Sequence, residues 1–290
     1  MKLLISSSNI TEKGIPSLGD SELANMANEM GLVSKLIDPK KVSYSFNDNK
    51  LKLFYQGQDI SDFDAVLFRR SRGAELESYQ LAKTFETQGK VSVGPSISLI
   101  YPTTKLIQQL DRIDDYTPKS AFVNGFSHDN MKMILESISF PMFAKPQNST
   151  KGKGTSKINS SSELESYLKS SQDPTIVQEY LDIITNMRVV TIGKRLIGST
   201  YCGINKLKTG IEKAHEITSE VVKSNPADIL GVDIVKTSED RYYVLECNRN
   251  PDFTIPASSM RYYSRNIISY LIERVNKNKS PLKKLKDLIS

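Results

Sequence analysis

The chain has 290 residues, of which 38% are hydrophobic and 25% charged, and its net charge is +6. That length supports two domains or three small ones, each with its own core, and no apolar run approaches the roughly 18 residues that a membrane span needs. Its two cysteines, Cys202 and Cys247, make no disulfide framework; both sit in apolar strand-like runs and are expected as reduced core residues of a cytoplasmic protein.

The first hundred residues alternate strand and helix. Residues 2–6 form a short apolar strand that breaks at once into Ser6, Ser7, Ser8 and Asn9, too short for a signal-peptide core. A helix over 21–30 closes at Gly31, and a second strand over 32–37 stops at Asp38 and Pro39. Residues 50–55 with the turn Gln56-Gly57 read as a hairpin. A third buried strand, 63–68, carries Arg69, Arg70 and Arg72 at its carboxyl end, where open α/β sheets bind ligands; these arginines are candidates to hold an anionic substrate. A helix over 75–88 and a last strand over 92–94 complete the pattern of a parallel sheet.

A connecting segment, 98–111, places Lys105 in a helical pattern, followed by a strand-like piece over 117–123 and a helix over 129–137. Residues 140–146 form a buried strand in which Lys145 stands among apolar neighbours. The loop that follows, 147–156, is rich in Gly, Ser and Thr and contains Lys151, Gly152, Lys153 and Gly154. Such a loop offers many main-chain N–H donors to a phosphate, though without P-loop spacing. The apolar run 175–181 breaks into a polar segment whose backbone can read the edge of an adenine ring, and 188–201 reads as a hairpin around Gly193-Lys194. The basic stretch 276–286 reads as a solvated helix or a frayed end, with no nucleic-acid motif beside it.

Two apolar strands near the C-terminus each end in a carboxylate: Gly231-Val-Asp233, and Val244-Leu-Glu246-Cys-Asn248 leading into Arg249-Asn250-Pro251. Side chains alternate along a strand, so Glu246 and Asn248 share a face, and Asp233 can lie opposite on an antiparallel neighbour. Three oxygen donors without His or Cys suit Mg²⁺, which completes its shell with waters and substrate phosphates. Strand-end carboxylates are common, and Asn-Arg-Asn-Pro is also an ordinary turn, so the set gains its weight from the rest of the chain.

In this order, the strand lysine, glycine-rich loop, Gln178-Glu179-Tyr180-Leu181, Arg188, Gly193 hairpin, Gly-Val-Asp and Leu-Glu-Cys-Asn resemble the ATP-grasp superfamily, and within it the RimK-like branch. The resemblance implies an α/β protein, α+β in its C-terminal part. A parallel-sheet preATP-grasp domain (1–97) is followed by a central subdomain (98–182), a C-terminal subdomain with antiparallel sheet (183–275) and a basic tail (276–290). It implies roles for single residues too. Lys105 and Lys145 approach the nucleotide, Gly152 and Gly154 cover its phosphates, and Glu179, Tyr180 and Leu181 form the adenine linker. Asn186 stands where relatives often carry a ribose-contacting Asp. Arg188 is associated with the acyl phosphate, and Asp233, Glu246 and Asn248 hold Mg²⁺, with Glu246 bridging two ions and Mn²⁺ as a substitute. Two departures stand out. Asn205, Lys208 and Gly210 keep only part of the pattern Arg-Ser-Asn-x-x-Arg-x-Gly, which leaves Asn205 as a nucleotide-side candidate and Lys208 as a catalytic one. Asn248-Arg-Asn-Pro251-Asp252 replaces Asn-Ala-Ser-Pro-Gly.

The implied activity is ATP-dependent joining of a carboxylate to an amine through an acyl phosphate, adding a glutamate-like amino acid to a peptide, protein or amino-acid acceptor. An ATP-grasp kinase acting on a small molecule and a non-catalytic ATP-binding module are the alternatives. ATP, an amino-acid donor and an amine or carboxylate acceptor are the implied partners, homo-oligomers are allowed, and neither membrane nor nucleic acid is expected.

Overall fold

The computed structural model describes residues 1–8, 10, 16–47, 50–71, 73–100, 106, 114–147, 153–202, 209–251 and 257–289. Strands β1 (Lys2–Ser7), β2 (Val33–Ile37), β6 (Ala65–Arg70) and β7 (Val91–Val93) form a parallel sheet in the order β2-β1-β6-β7. Alternation sorts their side chains between two cores. Leu3, Ile5, Ala65 and Leu67 face one side, with Leu23, Met26 and Ala27 of helix α1 (Leu18–Glu29). Leu4, Val66 and Phe68 face the other, with Leu81, Ala82 and Phe85 of α2 (Glu75–Thr87). Both faces of β1 are covered, which is why Leu3, Leu4 and Ile5 make an unbroken apolar run. Strands β3 (Val42–Asn47), β4 (Lys50–Tyr55) and β5 (Gln58–Asp59) make a separate antiparallel sheet, turning at Gln56-Gly57 with both residues at positive φ. The short helix α3 (Ser96–Ile100) follows β7.

The next sheet has the order β10-β9-β11-β8, from β8 (Ser120–Val123), β9 (Met142–Pro146), β10 (Ser156–Ile158) and β11 (Thr175–Glu179), with all the pairings antiparallel. Helices α4 (His128–Ser137) and α5 (Ser161–Ser170) cover one face. Their Ile134, Leu164 and Leu168 pack on Ala121, Val123, Met142, Ala144 and Val177. Serines cap both helices, Ser127 accepting from Asn130 N at 3.0 Å and Ser160 from Glu163 N at 3.3 Å. Every buried residue of this core lies between 121 and 177, so this part of the chain packs on itself.

The last sheet runs β13-β12-β14-β15, from β12 (Ile183–Ile192), β13 (Arg195–Tyr201), β14 (Ile229–Thr237) and β15 (Tyr242–Asn248), again all antiparallel. The β12–β13 turn is Gly193-Lys194, both at positive φ. Met187, Val189, Leu230, Val232, Ile234 and Val244 pack on Ala214, Ile217 and Val221 of helix α6 (Ile211–Ser224), whose i, i+3, i+7 spacing makes one apolar stripe. On the opposite face, Val190, Ile192 and Ile229 join the first core through helix α7 (Ala257–Ile289), which brings Tyr263, Ile267, Ile268, Leu271 and Val275 between the two sheets. Asp228 ties the junction: it accepts from Tyr270 Oη at 2.6 Å, Arg274 Nη1 at 2.9 Å and Gly94 N at 3.0 Å.

The stretch expected as a solvated helix or frayed end is the continuation of α7, and its first residues are docked: Lys279 pairs with Asp64 at 3.0 Å. Cys247 is buried and Cys202 half-buried, and both are free thiols. Among the described residues no helix is long and apolar enough to cross a membrane.

Candidate active site

Lys145 lies next to the end of β9, half-buried and Cα-paired with Ile176. Its neighbours Met142 and Ala144 point into the core, so alternation turns Lys145 to the face that the helices leave open. Gly154, at the exit of the glycine-rich loop, has φ +70°, and a Cβ there would stand 2.9 Å from Pro146 Cγ, so the chain passes Pro146 of β9 this closely only as glycine. Its carbonyl accepts from Tyr167 Oη of α5 at 2.7 Å. Lys105, Lys151, Gly152, Asn205 and Lys208 lie outside the described residues, as does Arg72.

Where β11 runs out, Lys119 N donates to Glu179 Oε1 at 2.9 Å, and Tyr180 N donates to the Pro141 carbonyl at 3.3 Å. The Tyr180 ring is partly exposed, with Lys157 Nζ 4.0 Å from its centroid. Leu181 accepts from Ile183 N at 3.0 Å as the chain enters β12. Glu179 also borders a cleft of about 440 Å³, lined among others by Tyr116, Lys119, Arg241 and Tyr243.

Three charged residues of the last sheet come together in one row. Arg188 on β12 is the Cα partner of Asp233 on β14, and Asp233 is the partner of Glu246 on β15. Paired residues share a face, so three side chains from three adjacent strands project on the side away from α6. Asn186, two residues before Arg188, lies on that face beside Val235. Arg188 Nε meets Asp233 Oδ1 at 2.6 Å and Nη2 meets Oδ2 at 2.7 Å, a two-pronged pair of parallel hydrogen bonds. Asn248 Nδ2 donates to Asp233 Oδ2 at 3.4 Å. The Asp233 hydrogen bonds raise the Arg188 pKa above its ordinary value, outweighing the opposing effect of burial. Burial pushes the nearby Cys202 thiol up, which keeps it protonated and unreactive at neutral pH.

Gly231 is the Cα partner of Asn248, and the missing side chain makes room: a Cβ there would stand 2.7 Å from Pro251 Cβ and 3.8 Å from Arg188 Cδ. Pro251 thus packs against the strand that carries Asp233. Among the described residues no three His, Cys, Asp or Glu side chains gather in one place, which leaves Asp233, Glu246 and the amide Asn248 as the candidate cation set. Its donor atoms are all oxygen, which fits the ligand chemistry of Mg²⁺, and in this structure both Asp233 oxygens bond Arg188.

Arg69 departs from the sequence expectation. It is 4% exposed and faces Asp20 of α1 at 3.9 Å, so it belongs to a buried ion pair and not to an open anion site. The sequence carried no sign of that partner, and nothing in it pointed to Asp20. His215 bonds Ser199 at 3.1 Å and His128 stacks edge-on with Phe126, so neither joins the row.

The RimK preATP-grasp domain model matches residues 10–99, and the RimK-like ATP-grasp domain model matches residues 103–275. The chain therefore belongs to the RimK-like ATP-grasp family, and with it to the ATP-dependent ligases. Proteins named probable alpha-L-glutamate ligase are similar along most of its length. That of Pseudomonas paraeruginosa is 22% identical, over 89% of this chain and 91% of its own. That of Alkalilimnicola ehrlichii is 21% identical, over 79% and 82%. Among solved structures, the macrocyclase MdnC of Microcystis aeruginosa, bound with the precursor peptide MdnA, superposes with a TM-score of 0.72 at 15% identity. The match covers 94% of this chain and all 100% of that one. The ATP-grasp ligase PsnB, complexed with its minimal precursor, Mg and ADP, gives 0.70 at 15% identity over 93% and 98%. The fold is thus ATP-grasp, with the parallel sheet in the N-terminal part and antiparallel sheets in the rest.

Proposed function

We propose that the chain activates a carboxylate with ATP as an acyl phosphate and passes the acyl group to an amine, adding a glutamate-like amino acid to a peptide, protein or amino-acid acceptor. The row Arg188–Asp233–Glu246 with Asn248 carries this reading, because it sets a held cationic fork beside an oxygen set on one face of the sheet. The names of the glutamate ligase relatives support glutamate, and the precursor peptides bound to MdnC and PsnB support a peptide acceptor.

In the first step a carboxylate oxygen attacks the γ-phosphorus of ATP, and the bond from that phosphorus to the bridging oxygen breaks, releasing ADP. The amine nitrogen then attacks the acyl carbon. The C–O bond to phosphate breaks and the nitrogen loses a proton. No protein nucleophile takes part. Lys145 and, from outside the described residues, Lys105 are assigned to the nucleotide phosphates, with Gly152 and Gly154 in the loop that covers them. The main chain of Glu179–Leu181 is assigned to adenine, and Asn186 and Asn205 complete the nucleotide side. Asp233, Glu246 and Asn248 would hold Mg²⁺, as two ions, or Mn²⁺ in their place. When bound, the cation supplies charge neutralisation and alignment of the phosphates. Arg188, with Lys208, is assigned to the developing negative charge of the acyl phosphate, where a preorganised guanidinium needs little rearrangement. The protein is proposed to act in the cytoplasm, as its free thiols suggest.

The test is isotope transfer. With the substrate carboxylate labelled with ¹⁸O, the mechanism delivers one labelled oxygen to the released phosphate. Unlabelled phosphate during amide formation would rule out the acyl phosphate.

A further inference from the structure

Arg69 leaves the end of β6 on the α1 side of the parallel sheet. Its guanidinium is buried opposite Asp20, itself 1% exposed, and Asp20 Oδ2 accepts from Ser7 Oγ at 2.8 Å. From there Arg69 Nη2 donates to the Pro251 carbonyl at 3.3 Å. The N-terminal sheet thus grips the chain three residues beyond Asn248. Arg249, in the same segment, donates from Nη1 to the Ser98 carbonyl at 3.2 Å, a second bond to the N-terminal part. Pro251 in turn fills the space over Gly231 beside the Arg188 stem. A buried ion pair adds little stability over an apolar pair of the same size, so stability alone is a poor account of why two charges are sunk here.

We propose that the Asp20–Arg69 pair is a positioning device that holds the Pro251 carbonyl, fixes the turn after Asn248 and so seats the substrate end of the site beside Arg188. The link to substrate rests on the ligase reading above. Lys145, Gly154 and the adenine linker Glu179–Leu181 lie in or beside a core that shares no residue with this network. Loss of the pair therefore impairs use of the carboxylate and amine and leaves metal-free nucleotide binding at the adenine linker intact.

Two variants separate this role from a structural one. Arg69→Lys keeps a charge opposite Asp20 but gives up the planar fork that reaches Pro251. Asp20→Asn combined with Arg69→Gln removes both charges, so neither is left buried alone. Amide exchange followed by mass spectrometry compares peptides covering 242–251 with peptides covering 2–7 and 65–70, beside steady-state kinetics in both substrates. The expected result is exchange at residues 248–250 about tenfold faster, with the N-terminal strands as in wild type. For the carboxylate and amine, kcat/KM falls about 10- to 100-fold while the Kd for ADP without Mg²⁺, measured by calorimetry, stays within about twofold. Wild-type exchange at 248–250 in both variants overturns the proposal. So do N-terminal strands that loosen equally, a Kd for metal-free ADP that rises in step, and unchanged kcat/KM in a variant with a loosened segment. A wild-type protein without amino-acid-stimulated turnover removes the ligase reading instead, and the exchange comparison alone then decides whether the pair positions the segment.

Discussion

Arg188 and Asp233 face each other across neighbouring strands as direct Cα partners, joined by hydrogen bonds of 2.6 and 2.7 Å. The carboxylate proposed to hold a cation is therefore also what orients the arginine proposed to hold the acyl phosphate. Asp233→Asn removes both functions at once. Arg188 loses its counter-charge while half-buried, so stability falls by about 1–3 kcal/mol, measured by chemical denaturation. Turnover drops on the order of 10²-fold or more. Arg188→Lys keeps the charge but not the two-pronged geometry; turnover falls while Mg²⁺-dependent nucleotide binding survives, as calorimetry would show.

Gly231→Ala probes the packing behind the row. The added methyl would lie 2.7 Å from Pro251 Cβ and 3.3 Å from its Cγ, and a proline ring has no rotamer that moves it aside. The expected cost is about 1–3 kcal/mol of stability from overpacking, accompanied by lost turnover because Pro251 is displaced. A variant with normal turnover and an unchanged melting temperature would show that Pro251 can shift freely.

Tyr270 yields a pH prediction. Burial, then the Asp228 carboxylate, push its phenol up to about 12. The folded state therefore keeps the proton that an unfolded tyrosine loses near pH 10, and binds more protons than the unfolded state between pH 10 and 12. The stability from this group is complete below pH 10 and declines as pH rises towards 12. Tyr270→Phe should flatten the fall in unfolding free energy over that window. Tyr44, pushed up to about 12 mainly by burial, is present in both proteins and cancels in the comparison. Equal slopes would contradict the assignment.

The parts legible in the sequence are those encoded locally. Alternation along 229–237 and 242–248 places Asp233, Glu246 and Asn248 on one side, and the observed register puts Asp233 directly opposite Glu246. Gly193-Lys194 and Gln56-Gly57 announced their turns through the glycine in each pair, which takes positive φ at no steric cost. Long-range partnerships left no such trace. Nothing in the segment after residue 257 says that it will complete the core of a sheet built from the first hundred residues. Arg69 reads as a free cation until folding brings Asp20 against it. Helix α5 offers its core Leu164, Tyr167 and Leu168, a single i, i+3, i+4 set that one helical turn of an otherwise polar stretch supplies.

The central claim is that this site spends ATP on joining a carboxylate to an amine. Phosphate release from MgATP, screened over single amino acids with and without mixed peptides, tests it most directly, with Glu246→Ala beside the wild-type protein. The account predicts release stimulated by glutamate or a similar amino acid, dependent on an amine acceptor and lost in the variant. MgATP binding without stimulation by any amino acid or peptide, or stimulation that survives in Glu246→Ala, would contradict it.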